Sequence, residues 1–297
     1  MEIVFLGTGS MMPTMERAQT ALVMSYWEEH MLFDCGEGTQ RQLRIAGISQ
    51  AKITKIFLTH WHGDHFFGLP GLLENMAKHK EQKEIHLYGP RGTKLYVKKL
   101  VDAFFIKNKI TIFTHEISKN GVVVDDPRYT ITATYVKHSI PCVAYAFQEK
   151  PKRKINMDYL QSQGISPGPL IKPLQEGKPI TFRGKKISVN KATHLEHGKK
   201  VALILDTKMD TACIKIAQDA DLLICEATFH SGLQDKATDY YHLSAKEAAL
   251  IARKAKAKKL VLTHFSQRYT DIKELEQEAK EEFSNTVMAA DFLKLIV

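Results

Sequence analysis

Short apolar runs punctuate this chain at residues 3–6, 31–33, 55–58, 131–136, 201–205 and 259–262, each closed by a polar residue. Runs of that length predict buried strands. Residues 244–257 have a different period, with Ala245, Ala248, Ala249, Ile251, Ala252 and Ala255 gathered on one side at near 3.6 spacing, which predicts an amphipathic helix. Strands alternating with helices predict an α/β layered fold. The positions just beyond the runs carry the chemistry. Thr59-His60, Lys137-His138, Asp206-Thr207 and Thr263-His264 all stand past the carboxyl end of a predicted strand, so four strands would deliver ligand-type side chains to loops along one rim.

One segment breaks the pattern. Residues 149–180 hold five of the ten prolines, the basic cluster Lys150, Lys152, Arg153 and Lys154, and the stretch Gly164-Ile-Ser-Pro-Gly-Pro169. That composition predicts an inserted, flexible, protruding arm rather than core, on an otherwise single domain of residues 1–297. Within it, residues 155–163 have room for two helical turns before Gly164 stops them, giving a small folded tip.

Composition narrows the class. An apolar content of 44% and a charged content of 25% suit a globular chain. The N-terminus has no basic segment ahead of an apolar one, and no run of eighteen apolar residues occurs, so a cytosolic protein without a membrane span is expected. Four scattered cysteines, Cys35, Cys142, Cys213 and Cys225, form no C-x-x-C pair and read as reduced, mostly buried thiols. Forty-two basic against thirty-three acidic residues give +9, which suits an anionic partner such as nucleic acid, or simply a basic solvated surface.

The candidate ligands concentrate in His60-Trp-His-Gly-Asp-His65. In extended backbone His60 and His62 point the same way and can reach one metal ion. A turn at Gly63 can then swing Asp64 and His65 toward a second ion. Imidazole with carboxylate is the donor mix of Zn²⁺, with Mn²⁺ or Fe also compatible. Four residues cannot fill two metal sites, so His138, Asp206 and His264 are the candidates for the remainder. His30, His79, His86, His115, His194 and His197 lack such placement and read as surface histidines.

With these residues assembled, the sequence resembles the metallo-β-lactamase superfamily and, more narrowly, the ribonuclease Z family that removes the 3′ trailer from precursor tRNA. The likeness rests on Phe5-Leu-Gly-Thr-Gly9, Phe33-Asp-Cys-Gly-Glu-Gly-Thr39, the His60–His65 loop with Pro70-Gly-Leu-Leu73, the arm motif at 164–170, Glu226-Ala-Thr-Phe229, His242-Leu-Ser244 and Thr263-His-Phe-Ser-Gln-Arg-Tyr269. It implies a four-layer αββα sandwich, two zinc ions per chain, a homodimer and precursor tRNA as partner. By the same resemblance His60, His62 and His138 hold one zinc, Asp64, His65 and His264 the other, and Asp206 bridges them. The chain departs from the family pattern at Ala18, Leu205 and Leu243, where asparagine, glycine and serine are common.

The implied reaction is attack of water on the phosphodiester, leaving a 3′-hydroxyl on the tRNA and a 5′-phosphate on the trailer. Asp64 is the expected acceptor of the water's proton, and His242, oriented by Glu226, the expected donor to the departing oxygen. For His242 the bland alternative is a loop residue capping the following helix. For Glu226 it is a buried structural carboxylate, and for Arg268 an ion pair rather than a phosphate contact. The rival functions are an esterase or phosphodiesterase of this fold acting on a small molecule, a non-catalytic RNA-binding subunit and a flavodiiron-type oxidoreductase. Small-molecule chemistry requires no basic, proline-rich arm, a non-catalytic subunit no complete set of seven ligands, and the oxidoreductase would be expected to have a glutamate where His62 stands.

Overall fold

The computed structural model describes residues 1–78, 84–104 and 110–297. They divide into two compact units, one of residues 1–124, 131–147 and 200–297, the other of residues 125–130 and 148–199.

Two seven-stranded sheets dominate. The first runs in the order Lys294–Ile296, Glu2–Gly7, Ala21–Tyr26, Glu29–Phe33, Ile53–Phe57, Glu84–Gly89, Thr111–Glu116. The second runs Thr286–Met288, Leu260–Thr263, Leu222–Glu226, Lys200–Ile204, Cys142–Glu149, Tyr129–Val136, Gly121–Asp125. Each predicted strand lies on one of these within two residues, and the predicted helix is Ala245–Lys254.

Both faces of the central strands are buried, which is why they read as unbroken apolar runs. Along Glu2–Gly7, Val4 and Leu6 join the cluster formed with Leu43, Leu69, Leu72 and Met76 from the outer helices. Ile3 and Phe5, with the opposite parity, are equally buried. Aromatic side chains bind the inner faces together: Tyr145 meets Phe33 and Phe57 edge-on at 5.9 and 5.4 Å, and its hydroxyl donates to the Leu58 carbonyl at 2.7 Å. The buried phenol is therefore satisfied. On the far side of the second sheet, helices Thr211–Ala217, Ala245–Lys254 and Lys273–Glu282 cover Ala202, Ile204, Leu223, Cys225 and Leu262, mostly with alanines that let helix and sheet approach closely. Helix, sheet, sheet, helix is the αββα sandwich of the metallo-β-lactamase fold.

Direction matters most for chemistry. Glu29–Phe33, Ile53–Phe57, Glu84–Gly89 and Thr111–Glu116 are mutually parallel, as are Lys200–Ile204, Leu222–Glu226, Leu260–Thr263 and Thr286–Met288. Parallel strands place successive carboxyl ends on one edge, where the loops carry the functional groups.

The second unit has its own small core of Leu160, Ile165, Leu174, Ile180, Ile187 and Ala192. It contains the antiparallel pair Lys152–Ile155 and Thr193–Glu196, the helix Met157–Ser162 and the hairpin Ile180–Phe182 with Lys185–Ile187. Residues 149–180 thus lie inside a larger folded unit that extends to residue 199, because Lys152–Ile155 finds its partner strand only at Thr193–Glu196.

Candidate metal centre

His60, Asp206 and His264 come after the parallel strands Ile53–Phe57, Lys200–Ile204 and Leu260–Thr263, and His138 after Tyr129–Val136. Asp206 and His264 adopt positive φ values of 22° and 61°, and Asp34, past Glu29–Phe33, takes 54°. Such conformations cost energy in residues other than glycine and concentrate at functional sites. The His60–His65 loop is clamped by glycines elsewhere: a Cβ on Gly36 would stand 2.5 Å from the Asp64 carbonyl oxygen, and one on Gly68 2.1 Å from the Gly36 carbonyl oxygen. Gly63, expected to form the turn, instead opens the short helix Gly63–Phe66 without a left-handed φ.

The seven expected ligands converge as two donor sets. His62 Nδ1 lies 3.1 Å from His60 Nε2 and 3.0 Å from His138 Nε2, with Asp206 Oδ2 3.5 Å from His60 Nε2. His65 Nε2 lies 3.2 Å from His264 Nε2 and 3.4 Å from Asp64 Oδ2, with Asp206 Oδ1 3.4 and 3.2 Å from the two imidazoles. Two donors each about 2.1 Å from a tetrahedral ion stand about 3.4 Å apart, so these separations are those of ligands around an ion. Asp206 Oδ1 is buried and accepts no hydrogen bond, an orphan that a cation would satisfy. The donor set therefore fits divalent metal, with one oxygen of Asp206 turned to each cluster and His242 within the same reach of Asp206 and His264.

The opposite ring nitrogens of His60, His65, His138 and His264 are all committed. His65 Nδ1 donates to Asp34 at 2.7 Å, and His138 Nδ1 to the Tyr241 carbonyl at 3.1 Å. The Thr59 hydroxyl donates to Asp34 at 2.8 Å and so accepts from His60 Nδ1 at 3.0 Å. The Thr228 hydroxyl donates to Glu226 at 2.6 Å and accepts from His264 Nδ1 at 2.9 Å. Each network fixes the tautomer that leaves Nε2 facing the centre. Asp34, Thr59 and Thr228 carry no ligand-type motif in the sequence. Each falls just beyond a strand carboxyl end, and Asp34 and Thr228 stand within the stretches that carry the resemblance.

Charge sorts the groups further. Burial, with His65 close by, drives His60 well below the ordinary imidazole range, and burial lowers His62 and His138 too, which suits neutral ligands. Burial also opposes charge on His65, but Asp206, Asp64 and Asp34 outweigh it and raise the group well above its ordinary value. Burial would raise Asp64 and Asp206; facing histidines prevail and hold both well below the usual carboxylate range. His242 is mostly buried beside Glu226, and desolvation there is overcome by the Glu226 carboxylate with Asp206, which lift the imidazole to about 9. Its Nδ1 lies 3.1 Å from Glu226 Oε2, and Glu226 Oε1 accepts the Thr207 N–H at 2.7 Å.

A cavity of about 550 Å³ opens over these groups, lined by Met11, Asp64, His138, Asp206, Tyr241 and His242 among others. Arg268 lies outside its lining, with its guanidinium 4.9 Å from the Phe229 ring centroid and its Nε donating to Ser266 at 3.0 Å. The basic residues stand in the second unit. Lys150 pairs with Asp125, Lys154 with Glu196 at 2.7 Å, and Arg153 donates to Thr193 at 2.9 Å, while Lys152 is exposed. The three departures lie in the frame: the Ala18 N–H donates to Asp291, and Leu205 and Leu243 are fully buried. Of the histidines set aside, His194 and His197 are exposed, His86 and His115 stack on each other, and His30 contacts Ser25. His79 lies outside the described residues. His230, not singled out in the sequence, accepts from Gly232 N and meets Glu278 at 3.2 Å.

Known proteins resemble this chain along its whole length. The ribonuclease Z of Methanothermobacter thermautotrophicus is 36% identical over 100% of this chain and 97% of its own, and that of Bacillus mycoides 38% identical over 98% and 97%. The chain belongs to the ribonuclease Z family. Among solved structures, human tRNase Z, short form, superposes with a TM-score of 0.74 at 28% identity, covering 100% of this chain and 99% of that one. The metallo-β-lactamase fold protein YhfI from Bacillus subtilis reaches 0.73 at 19% identity over 99% and 98%, a likeness of fold alone. A family model described as anti-Pycsar protein Apyc1 matches residues 1–109, which include the His60–His65 loop but not His138, Asp206 or His264.

Proposed function

We propose that this chain is a metal-dependent endoribonuclease that removes the 3′ trailer from precursor tRNA, leaving a 3′-hydroxyl on the tRNA and a 5′-phosphate on the trailer. The observation that carries this reading is Asp206, whose two carboxylate oxygens face separate histidine clusters, in a chain related to ribonucleases Z over its full length. His60, His62 and His138 would hold one zinc ion, Asp64, His65 and His264 a second, and Asp206 both; Mn²⁺ or Fe suits the same donors. When bound, such a pair supplies a low-pKa water and neutralises charge on the phosphate.

The side chains do the rest. Asp64 stays ionised, so it can take the hydrogen bond and then the proton of the attacking water, the role expected of it. His242, held at Nδ1 by Glu226, whose carboxylate favours the protonated imidazole, presents Nε2 to the departing 3′-oxygen and donates the proton it needs. The bland role for His242 is weakened because Ser244 itself caps the helix Ala245–Lys254 in a capping box with Glu247.

Substrate size is argued from charge. Residues 125–130 and 148–199 carry twelve basic and six acidic side chains, against thirty and twenty-seven in the rest of the chain. Most of the net charge therefore sits on the inserted unit, as a grip on an RNA backbone requires and a small-molecule esterase does not. Lys152 is exposed there, and so are Lys185 and Lys186 on the hairpin. A homodimer and a cytosolic location complete the reading; among the described residues no helix is long and apolar enough to cross a membrane. The test is an end-labelled tRNA precursor incubated with the protein, with and without chelator. One cut at the 3′ end of the tRNA body, lost on chelation and restored by Zn²⁺ or Mn²⁺, is expected, and an uncut precursor refutes the assignment.

A further inference from the structure

A second cavity, also about 550 Å³, shares His62 with the lining of the catalytic one. Its walls include the aromatic rings of Trp61, Phe66, Tyr96 and Phe104 and the cations Arg91 and Lys99, and among the described residues none of its lining is acidic. The rings form a group: Trp61 lies 5.0 Å from Phe66 and 5.2 Å from Tyr96, centroid to centroid. The Trp61 indole N–H donates to Thr93 at 2.8 Å, which fixes the plane of the ring. Tyr96 and Phe104 are 43% and 55% exposed, large apolar surface left in solvent beside a catalytic cleft.

We propose that this cavity binds the first unpaired nucleobases of the RNA trailer, on the 3′ side of the cut. The inference rests on the endonuclease reading above. Aromatic faces interleaved with cations are what single-stranded RNA requires, since every base offers a stacking face and every linkage a negative charge. The cleft sets the direction. His242 marks the side where the departing 3′-oxygen, and so the tRNA body, lies. The second cavity is lined by His62 and by none of residues 239–242, so it receives the strand on the other side of the phosphate.

The test compares two precursors with the same tRNA body, one with an ordinary trailer and one whose first two trailer nucleotides lack their bases, cut by the full-length metal-loaded enzyme. Base removal is expected to lower kcat/KM about ten-fold. The double variant Tyr96→Ala, Phe104→Ser should lose about as much on the ordinary trailer and little more on the abasic one. Indifference of the unaltered enzyme to the missing bases overturns the pocket without reference to any variant. So does equal loss by the variant on both trailers, as when a second copy of the chain covers this face; dissociation of a dimer by the same variant in light scattering identifies that case. Failure to cut either precursor, with a small chromogenic phosphodiester still hydrolysed, overturns instead the function on which the pocket rests.

Discussion

At the scale of single residues, Asp206 has no substitute. It is the one carboxylate that faces both clusters among the described residues, so Asp206→Ala should strip metal and activity together; elemental analysis showing two ions per chain would refute the bridge. Asp34 acts one step further out. It receives His65 Nδ1, the Thr59 N–H and the Thr59 hydroxyl at 2.7, 2.7 and 2.8 Å while fully buried. Asp34→Asn keeps the volume but removes the charge that orients two ligands, and should weaken metal binding about 10- to 100-fold in chelator competition. Unchanged affinity would make Asp34 a part of the fold only. His242 faces the cleft beside the ligands, so His242→Ala should retain both ions and lower kcat about 10²- to 10⁴-fold. Metal loss in that variant would move His242 from the leaving group to the ligand set.

Elements explain why some of this could be read in the sequence and some could not. The candidate ligands His60, His138, Asp206 and His264 could be picked out because each comes after an apolar run, and a strand's end is a local fact. Asp34 ends a run as well, but its partners stand 25 and 31 positions away, and a short-range pattern does not announce a hydrogen bond across strands. The strand Thr193–Glu196 was invisible for another reason: three of its four residues are exposed, so it lacks the apolar signal that marks the buried strands. The helix Ala245–Lys254 is the opposite case, with an alanine face packed on the sheet and its start fixed by Ser244 and Glu247. Ser244→Ala removes the side-chain half of that capping box and should cost about 1 kcal/mol in denaturant unfolding. A larger fall, with loss of activity, would mean that the cap also holds His242 in place two residues upstream.

For the whole molecule the question is whether the inserted unit serves the chemistry or only the substrate. The candidate metal donors all come from residues 1–124, 131–147 and 200–297, and the buried clusters on either side of the sandwich are built from those residues as well. The inserted unit has its own core, and its ends close on themselves: Glu149 N donates to the Lys199 carbonyl and Lys199 N to the Glu149 carboxylate, both at 2.9 Å. A tight two-residue turn in place of residues 151–197 should therefore leave a folded protein with its metal ligands intact. That protein is expected to hydrolyse a small phosphodiester at near the full rate while precursor cutting falls by orders of magnitude. The intact enzyme should show a steep salt dependence of precursor binding, about 10³-fold between 50 and 200 mM for roughly six phosphate contacts, and the shortened one a shallow dependence. Equal loss on both substrates, with metal retained, would mean that the unit shapes the cleft rather than gripping RNA. An unchanged salt slope would move the RNA contacts to the sandwich, whose thirty basic side chains are nearly balanced by twenty-seven acidic ones and so give a polyanion far less to bind.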